Sequence, residues 1–198
     1  MKNLNNFLLV FMAFSLLFFT ACEDDDVPPE ENEEEIITDI TLTFTPEGGG
    51  SPVVATAQDP DGEGPQDIEV VDNIVLATNT TYELSIDLVN SIENESITEE
   101  VEEEDEEHMF FFGWTAELFA DPTGDGNIGA GQRGDAVNYN DQDDNGNPLG
   151  LSTSWTTGDV GNGTFRVILK HQPDIKSGQT TSLDGESDVD ISWDITVQ

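Results

Sequence analysis

The chain of 198 residues has one cysteine, Cys22, two histidines, and five lysines and arginines against 43 aspartates and glutamates. A lone cysteine excludes an internal disulfide, a thiolate zinc site and a catalytic thiol in the folded part, so stability must come from a buried core. The shortage of cations excludes nucleic acid and anionic lipid headgroups as partners, since both need positive charge to neutralise them. No G-x-S-x-G, H-E-x-x-H, glycine-rich phosphate loop or βαβ alternation occurs, and no repeat has a solenoid period. Two carboxylates suffice for glycoside hydrolysis, so surplus acid alone does not exclude it. The polar residues, however, lie in charge runs and turns rather than around a dry pocket, and the expectation is a protein that is not an enzyme.

What is present begins at the N-terminus. Met1-Lys2 and a short polar step precede an apolar run from Phe7 to Phe19. That run is shorter than the roughly 20 residues of a membrane span and reads as a signal peptide. It ends in Phe19-Thr20-Ala21-Cys22, which resembles the lipobox of bacterial lipoproteins, with Phe where Leu is usual. The expectation is a signal peptide over residues 1–21 and a lipid anchor on Cys22. Glu23-Asp24-Asp25-Asp26 then resembles the acidic signal that carries Bacteroidetes lipoproteins to the outer face of the outer membrane. Residues 22–35 are rich in Pro and Glu, cannot bury enough surface to fold, and read as a lipidated, disordered tether.

Removing residues 1–21 takes away Lys2 and no acid, leaving 4 basic against 43 acidic residues, a formal charge of −39. That balance favours cations or a basic protein as partners; solubility and self-repulsion at a crowded surface is the plainer reading. Residues 36–198 are the right length for one domain.

Along that domain the dominant period is two. Ile40, Leu42 and Phe44 alternate with threonines, as do Tyr82, Leu84, Ile86 and Leu88 with polar residues. Phe165, Val167, Leu169 and His171 share one face, and Val189, Ile191, Trp193, Ile195 and Val197 another. Met109–Phe119 is apolar enough to be buried on both faces at its start. Further strands are expected at Pro52–Ala57, Ile74–Thr78, Ala136–Tyr139 and Leu149–Thr156. About eight strands at these spacings predict an all-β fold, a single immunoglobulin-like antiparallel β-sandwich. One short acidic helix or loop is expected within it. Ser96 with Glu99 three residues on makes a capping box, and Ile97 and Val101 would pack inward, so the helix is placed at about Ile97–Glu106.

That helix would set Glu100, Glu104 and His108 at i, i+4 and i+8 on one face, where they could hold zinc, copper or iron. His171 is either a satisfied histidine at the core edge or a further ligand shared with His108. The segment holds ten acids within residues 93–107, and like-charge repulsion would strain it, which argues for a counter-ion; a solvated charged face and a surface for a basic partner remain open. Three loops carry the first half of an EF-hand pattern: Asp59-x-Asp61-x-Glu63-Gly64, Asp121-x-Thr123-x-Asp125-Gly126 and Asp141-x-Asp143-x-Asn145-Gly146. Position 12 is Val70, Gln132 or Ser152 instead of glutamate, so weak calcium binding is the most they suggest. Asp/Gly turn chemistry uses the same residues.

The Ile97–Glu104 run with His108 and its phenylalanines resembles a family of small Bacteroidetes surface lipoproteins. So do Asp143–Ser152, Leu169–Asp174 and the alternating C-terminal strand. The likeness covers most of residues 36–198, with Gly113–Gly134 resembling an insertion. Such proteins are often labelled as having a type 1 periplasmic-binding fold. That fold needs two α/β lobes, for which this chain has neither the length nor the helix pattern. The resemblance implies a surface accessory working beside a TonB-dependent outer-membrane receptor, and does not settle the ligand. An adhesive or structural module rigidified by calcium is the alternative.

Overall fold

The structure, a computed structural model, describes residues 35–62, 67–128 and 137–198. The chain divides into a unit Met1–Glu33 and a unit Glu34–Gln198; Cys22 and the acidic residues after it fall in the first, outside the described residues. Glu63 and residues 129–136 also lie outside them.

The second unit is all-β apart from one helical turn pair. Its strands are β1 (Asp39–Pro46), β2 (Val53–Gln58), β3 (Glu69–Val70), β4 (Ile74–Leu76), β5 (Thr81–Asn90) and β6 (Glu95–Ser96). After helix α1 (Ile97–Glu103) come β7 (His108–Trp114), β8 (Phe119–Asp121), β9 (Asn138–Tyr139), β10 (Ser152–Thr157), β11 (Gly161–His171) and β12 (Glu186–Val197). One sheet runs β3-β2-β1-β5-β10-β8, with β6 on β5 and β9 on β10; the other runs β4-β12-β11-β7. Within them, β1-β5-β10-β8 facing β7-β11-β12 reproduces the A-B-E-D and C-F-G order of an immunoglobulin-like sandwich.

The expected alternation is what closes the two sheets. Ile40, Leu42 and Phe44 of β1, Leu84 and Leu88 of β5, and Trp193, Ile195 and Val197 of β12 are at most 1% exposed. Between the layers Trp155, Phe165, Phe112, Trp114 and Phe119 stack edge-on or tilted, with Trp155 5.0 Å from both Trp114 and Phe165. Such pairs add to the area they bury, each by about 0.5–1.5 kcal/mol. The structure adds short strands that a periodicity reading does not resolve, and one departure from a purely antiparallel sandwich: β4 runs parallel to β12.

Strand β7 is buried on both faces, as its composition predicts. Phe110, Phe112 and Trp114 enter the main core, while Met109 and Phe111 join Ile168 in a second cluster under Ile128 and Tyr139. The stretch that resembles an insertion therefore supplies part of a cover for the outer face. Together with Tyr139 and Leu149 it also occupies the free edge of β7. Phe110 N donates to Leu149 O at 2.7 Å and Trp114 N to Asp125 O at 3.1 Å. The Asn127 side chain accepts from Phe112 N at 2.9 Å, and Tyr139 Oη donates to Phe110 O at 2.7 Å. Gly126 makes the approach possible: its φ is +107°, and a Cβ there would collide with the Phe112 carbonyl.

A second local feature positions the site. Along β11 and β12 the partners step from Leu169↔Val189 to Lys170↔Ser187. Asp188 is the extra residue of a β-bulge, which re-aims its side chain.

Candidate metal centre

The ends of β7, β11 and β12 meet the C-terminal end of α1 and the lead-in to β1. The helix starts as expected: the Ser96 side chain accepts from Glu99 N, and Ile97 and Val101 are buried. It stops earlier, with Glu104 as C-cap at φ −106°, and a further turn closes from Glu107 N to Glu104 O at 2.9 Å. His108 then opens β7 opposite His171, the last residue of β11.

His108 has no side-chain exposure, and carboxylates surround it. Its Nε2 lies 3.1 Å from Glu35 Oε1, whose side chain is 8% exposed, and 3.9 Å from Asp188 Oδ2, whose side chain is 3% exposed. On the other side of the ring Nδ1 lies 3.2 Å from the Glu104 carbonyl and 3.9 Å from Glu104 Oε2. Nδ1–H facing a backbone carbonyl fixes the tautomer and leaves Nε2 as the ligating nitrogen, the usual arrangement behind a metal-bound histidine.

Despite the 3.1 Å separation, Nε2 and Glu35 are not aligned as a hydrogen bond. His108 Nε2, Glu35 Oε2 and Asp188 Oδ2 are all buried and none has a hydrogen-bond partner. Three buried polar atoms without partners in one place are costly unless something positive sits among them. Ligands about 2.1 Å from a common ion are themselves about 3.0–3.5 Å apart; the His108–Glu35 separation of 3.1 Å falls in that range and the His108–Asp188 separation of 3.9 Å is wider. Two carboxylates, a neutral imidazole and a divalent ion also sum to zero charge, which a buried site tolerates best.

With no ion present, the electrostatics favour a proton on this group, so a metal would have to displace it. Burial, reinforced by Glu35, pushes the Asp188 carboxyl up to about 6, against the pull of His108, His171 and Lys170. Burial also opposes charge on His108, but Glu35, Asp188 and the Glu104 carbonyl outweigh it and raise its pKa. The Glu35 carboxyl is lowered, burial being outweighed by His108 and His171.

Of the ligands expected from sequence, the structure brings together Glu104, His108 and His171, which form one group able to hold an ion; Glu35, His108 and Asp188 form a second. Glu100 belongs to neither, because α1 ends before its face can continue to His108. Burial and its neighbours Glu95, Glu35, Glu104 and Glu103 raise its pKa. The imidazoles of His108 and His171 stack 4.6 Å apart at 9°. Their in-plane lone pairs therefore lie in two nearly parallel planes. His171 faces Glu107, with Nε2 3.3 Å from Oε2.

Among the described residues, no group of three histidine or carboxylate ligand atoms forms at the Asp/Gly loops. Asp59 Oδ1 accepts from Asp61 N and Gly62 N, an Asx turn. Asp121 and Asp125 are exposed. Asp141 caps Gly150 N and Ser152 N through its two oxygens. Asp143 is engaged by Asn145 N, Asn147 N and the Lys176 ammonium at 3.1 Å, both members of that ion pair fully buried. Asn145 turns its amide to Glu106. In this loop the cation is the chain's own lysine, and its acidic pattern corrects to a structural ion pair. The other two described cations are also engaged within the chain: Arg166 forks onto Asp190 at the surface, and Lys170 donates to Ser187.

Glu35 and Asp188 escaped the sequence reading. Ile36-Ile37 right after Glu35 was the available signal that the chain was already docking there; Asp188 gave none, because a bulge is a property of strand pairing. No protein-family model, curated protein or solved structure matches this chain. Fold and site together define an all-β sandwich with residue groups at one end that can hold a metal ion.

Proposed function

We propose that this is a non-catalytic, lipid-anchored surface protein that binds a divalent transition metal through Glu35, His108 and Asp188, in support of uptake by an outer-membrane receptor. The observation that supports the metal reading is that Glu35, His108 and Asp188 bring ligand atoms together and that each carries a buried polar atom without a hydrogen bond. One imidazole with two carboxylates suits Zn²⁺ or Fe²⁺; Cu⁺ would favour sulfur, and Ca²⁺ more oxygens without the imidazole. The anchored, outward location rests on the Phe19–Cys22 lipobox and on Glu23–Asp26, and the receptor on the family resemblance.

The test is thermal unfolding of the purified protein with and without Zn²⁺ at neutral pH. At a hundredfold excess over Kd, binding adds about 2.7 kcal/mol, which raises Tm by roughly 5–10 °C for a domain of this size. D188N should abolish the rise and E100Q should keep it. Equal behaviour of wild type and D188N toward Zn²⁺, Fe²⁺ and Cu²⁺ overturns the site. Palmitate labelling of wild type but not C22S tests the anchor.

A further inference from the structure

The turn that delivers His108 into β7 is Glu104-Asp105-Glu106-Glu107, four acids in a row whose repulsion opposes a compact backbone. Its own bonds are few. Glu107 N donates to Glu104 O at 2.9 Å, and His108 Nδ1 faces that same carbonyl at 3.2 Å. Further holds come from two loops much later in the chain. Lys176 Nζ donates to Asp105 O and pairs with Asp143 Oδ2 at 3.1 Å, both side chains fully buried. Asn145 Nδ2 donates to Glu106 Oε1 at 2.9 Å, and Gln172 N to Glu107 O at 2.6 Å. Lys176 N in turn donates to Gln172 O at 3.0 Å, so the lysine and the residue after His171 share one turn. One buried ammonium therefore joins the turn before β7, the Asp143 loop and the turn after β11.

Resting on the metal reading above, we infer that Lys176, held by Asp143, is a positioning residue of the metal centre. It touches no ligand atom. By fixing the Asp105 carbonyl it fixes the Glu104 carbonyl one residue earlier, and that carbonyl sets the plane in which His108 presents Nε2 to Glu35 and Asp188. The buried pair thus does for the imidazole what an outer-shell partner does for a metal-bound histidine. Loss of such a partner commonly costs 10–100-fold in metal affinity. Here the influence passes through one carbonyl before it reaches the ring, which places the expected loss at the lower end.

The experiment compares wild type, K176M/D143N and V197A as intact chains. Three readings are taken: Zn²⁺ affinity, the visible spectrum of the Co²⁺-loaded protein, and backbone amide exchange of the metal-free protein. K176M/D143N removes one charge of each sign, so the net charge stays as it is. V197A opens a cavity at a fully buried position at the other end of β12 from Asp188, and lowers stability without touching the turn. K176M/D143N should raise the Zn²⁺ Kd about tenfold, alter the Co²⁺ bands, which report ligand geometry, and speed exchange at Glu107 N relative to the amides of β1. V197A should leave Kd within about twofold of wild type and the Co²⁺ spectrum unchanged. An unchanged Kd and spectrum in K176M/D143N would reduce the pair to a staple of the fold and overturn the inference. A Kd raised as far by V197A would tie the loss to stability alone and overturn it too. Amide exchange needs no metal and separates the two failures. Wild type that takes up neither ion defeats the metal reading and the positioning role with it, whereas unaltered exchange at Glu107 in K176M/D143N defeats the positioning role alone.

Discussion

Replacing Asp188 with asparagine should make the metal-free protein more stable while removing a ligand of the proposed metal site. Asp188 moves from an ordinary value of 3.8 to about 6 in the fold. At about 1.36 kcal/mol per tenfold change in proton affinity, that corresponds to about 3 kcal/mol. The sign follows from proton binding. Between those two values the native state holds the proton more tightly than the unfolded chain, so this group's contribution to stability is largest below 3.8 and has gone above 6. At neutral pH the ionised carboxylate therefore costs close to the full amount. Asparagine keeps the shape and drops the charge, but still buries an amide, so a net gain of about 1–3 kcal/mol is expected. In a folded unit of this size that is roughly 2–10 °C in Tm. The assay is urea unfolding with chelator present, at pH 7.5 and at pH 4. The gain should be large at the first and small at the second, where wild-type Asp188 is protonated. A less stable D188N at pH 7.5, or an equal gain at both pH values, would refute the account of Asp188 as a charge held against its preference.

Metal affinity should fall as pH drops through 6, because the ion must displace the proton on His108, whose pKa is raised, and then one on Asp188 near 6. Calorimetry in buffers of different ionisation enthalpy should count more than one proton released per ion at pH 6 and fewer at pH 7.5. K176M leaves the fully buried Asp143 without its ammonium partner and should cost about 3–5 kcal/mol in chemical unfolding. K176M/D143N should recover part of that loss, because the uncompensated charge is gone.

Much of the architecture could be read from the sequence because it rests on local alternation. The faces of β1, β5 and β12 follow a strict period of two, and the cap on α1 needs only Ser96 and the residues after it. Glu104 and His108 were legible as ligand-type residues four apart, but on a helix face shared with Glu100 and not at a strand start, and the sequence leaves His171 open between a core-edge histidine and a shared ligand. What was not visible depends on pairing between distant strands. The parallel β4–β12 contact and the bulge at Asp188 have no local signature. Glu35 was submerged in a composition that reads as tether. The Asp/Gly loops show the opposite problem: turn formation and calcium ligation call for the same residues in the same order, and only the position of Lys176, 33 residues beyond Asp143 in the chain, separates the two.

The unmatched position in β12 makes the fold and its chemistry separable by a single codon. Deleting the residue between Ser187 and Val189 would restore a regular ladder against β11 and leave the aromatic interior untouched, yet the third of the proposed ligands would be gone. A lineage could thus acquire or discard the proposed capacity for metal by a length change that leaves every core residue in place.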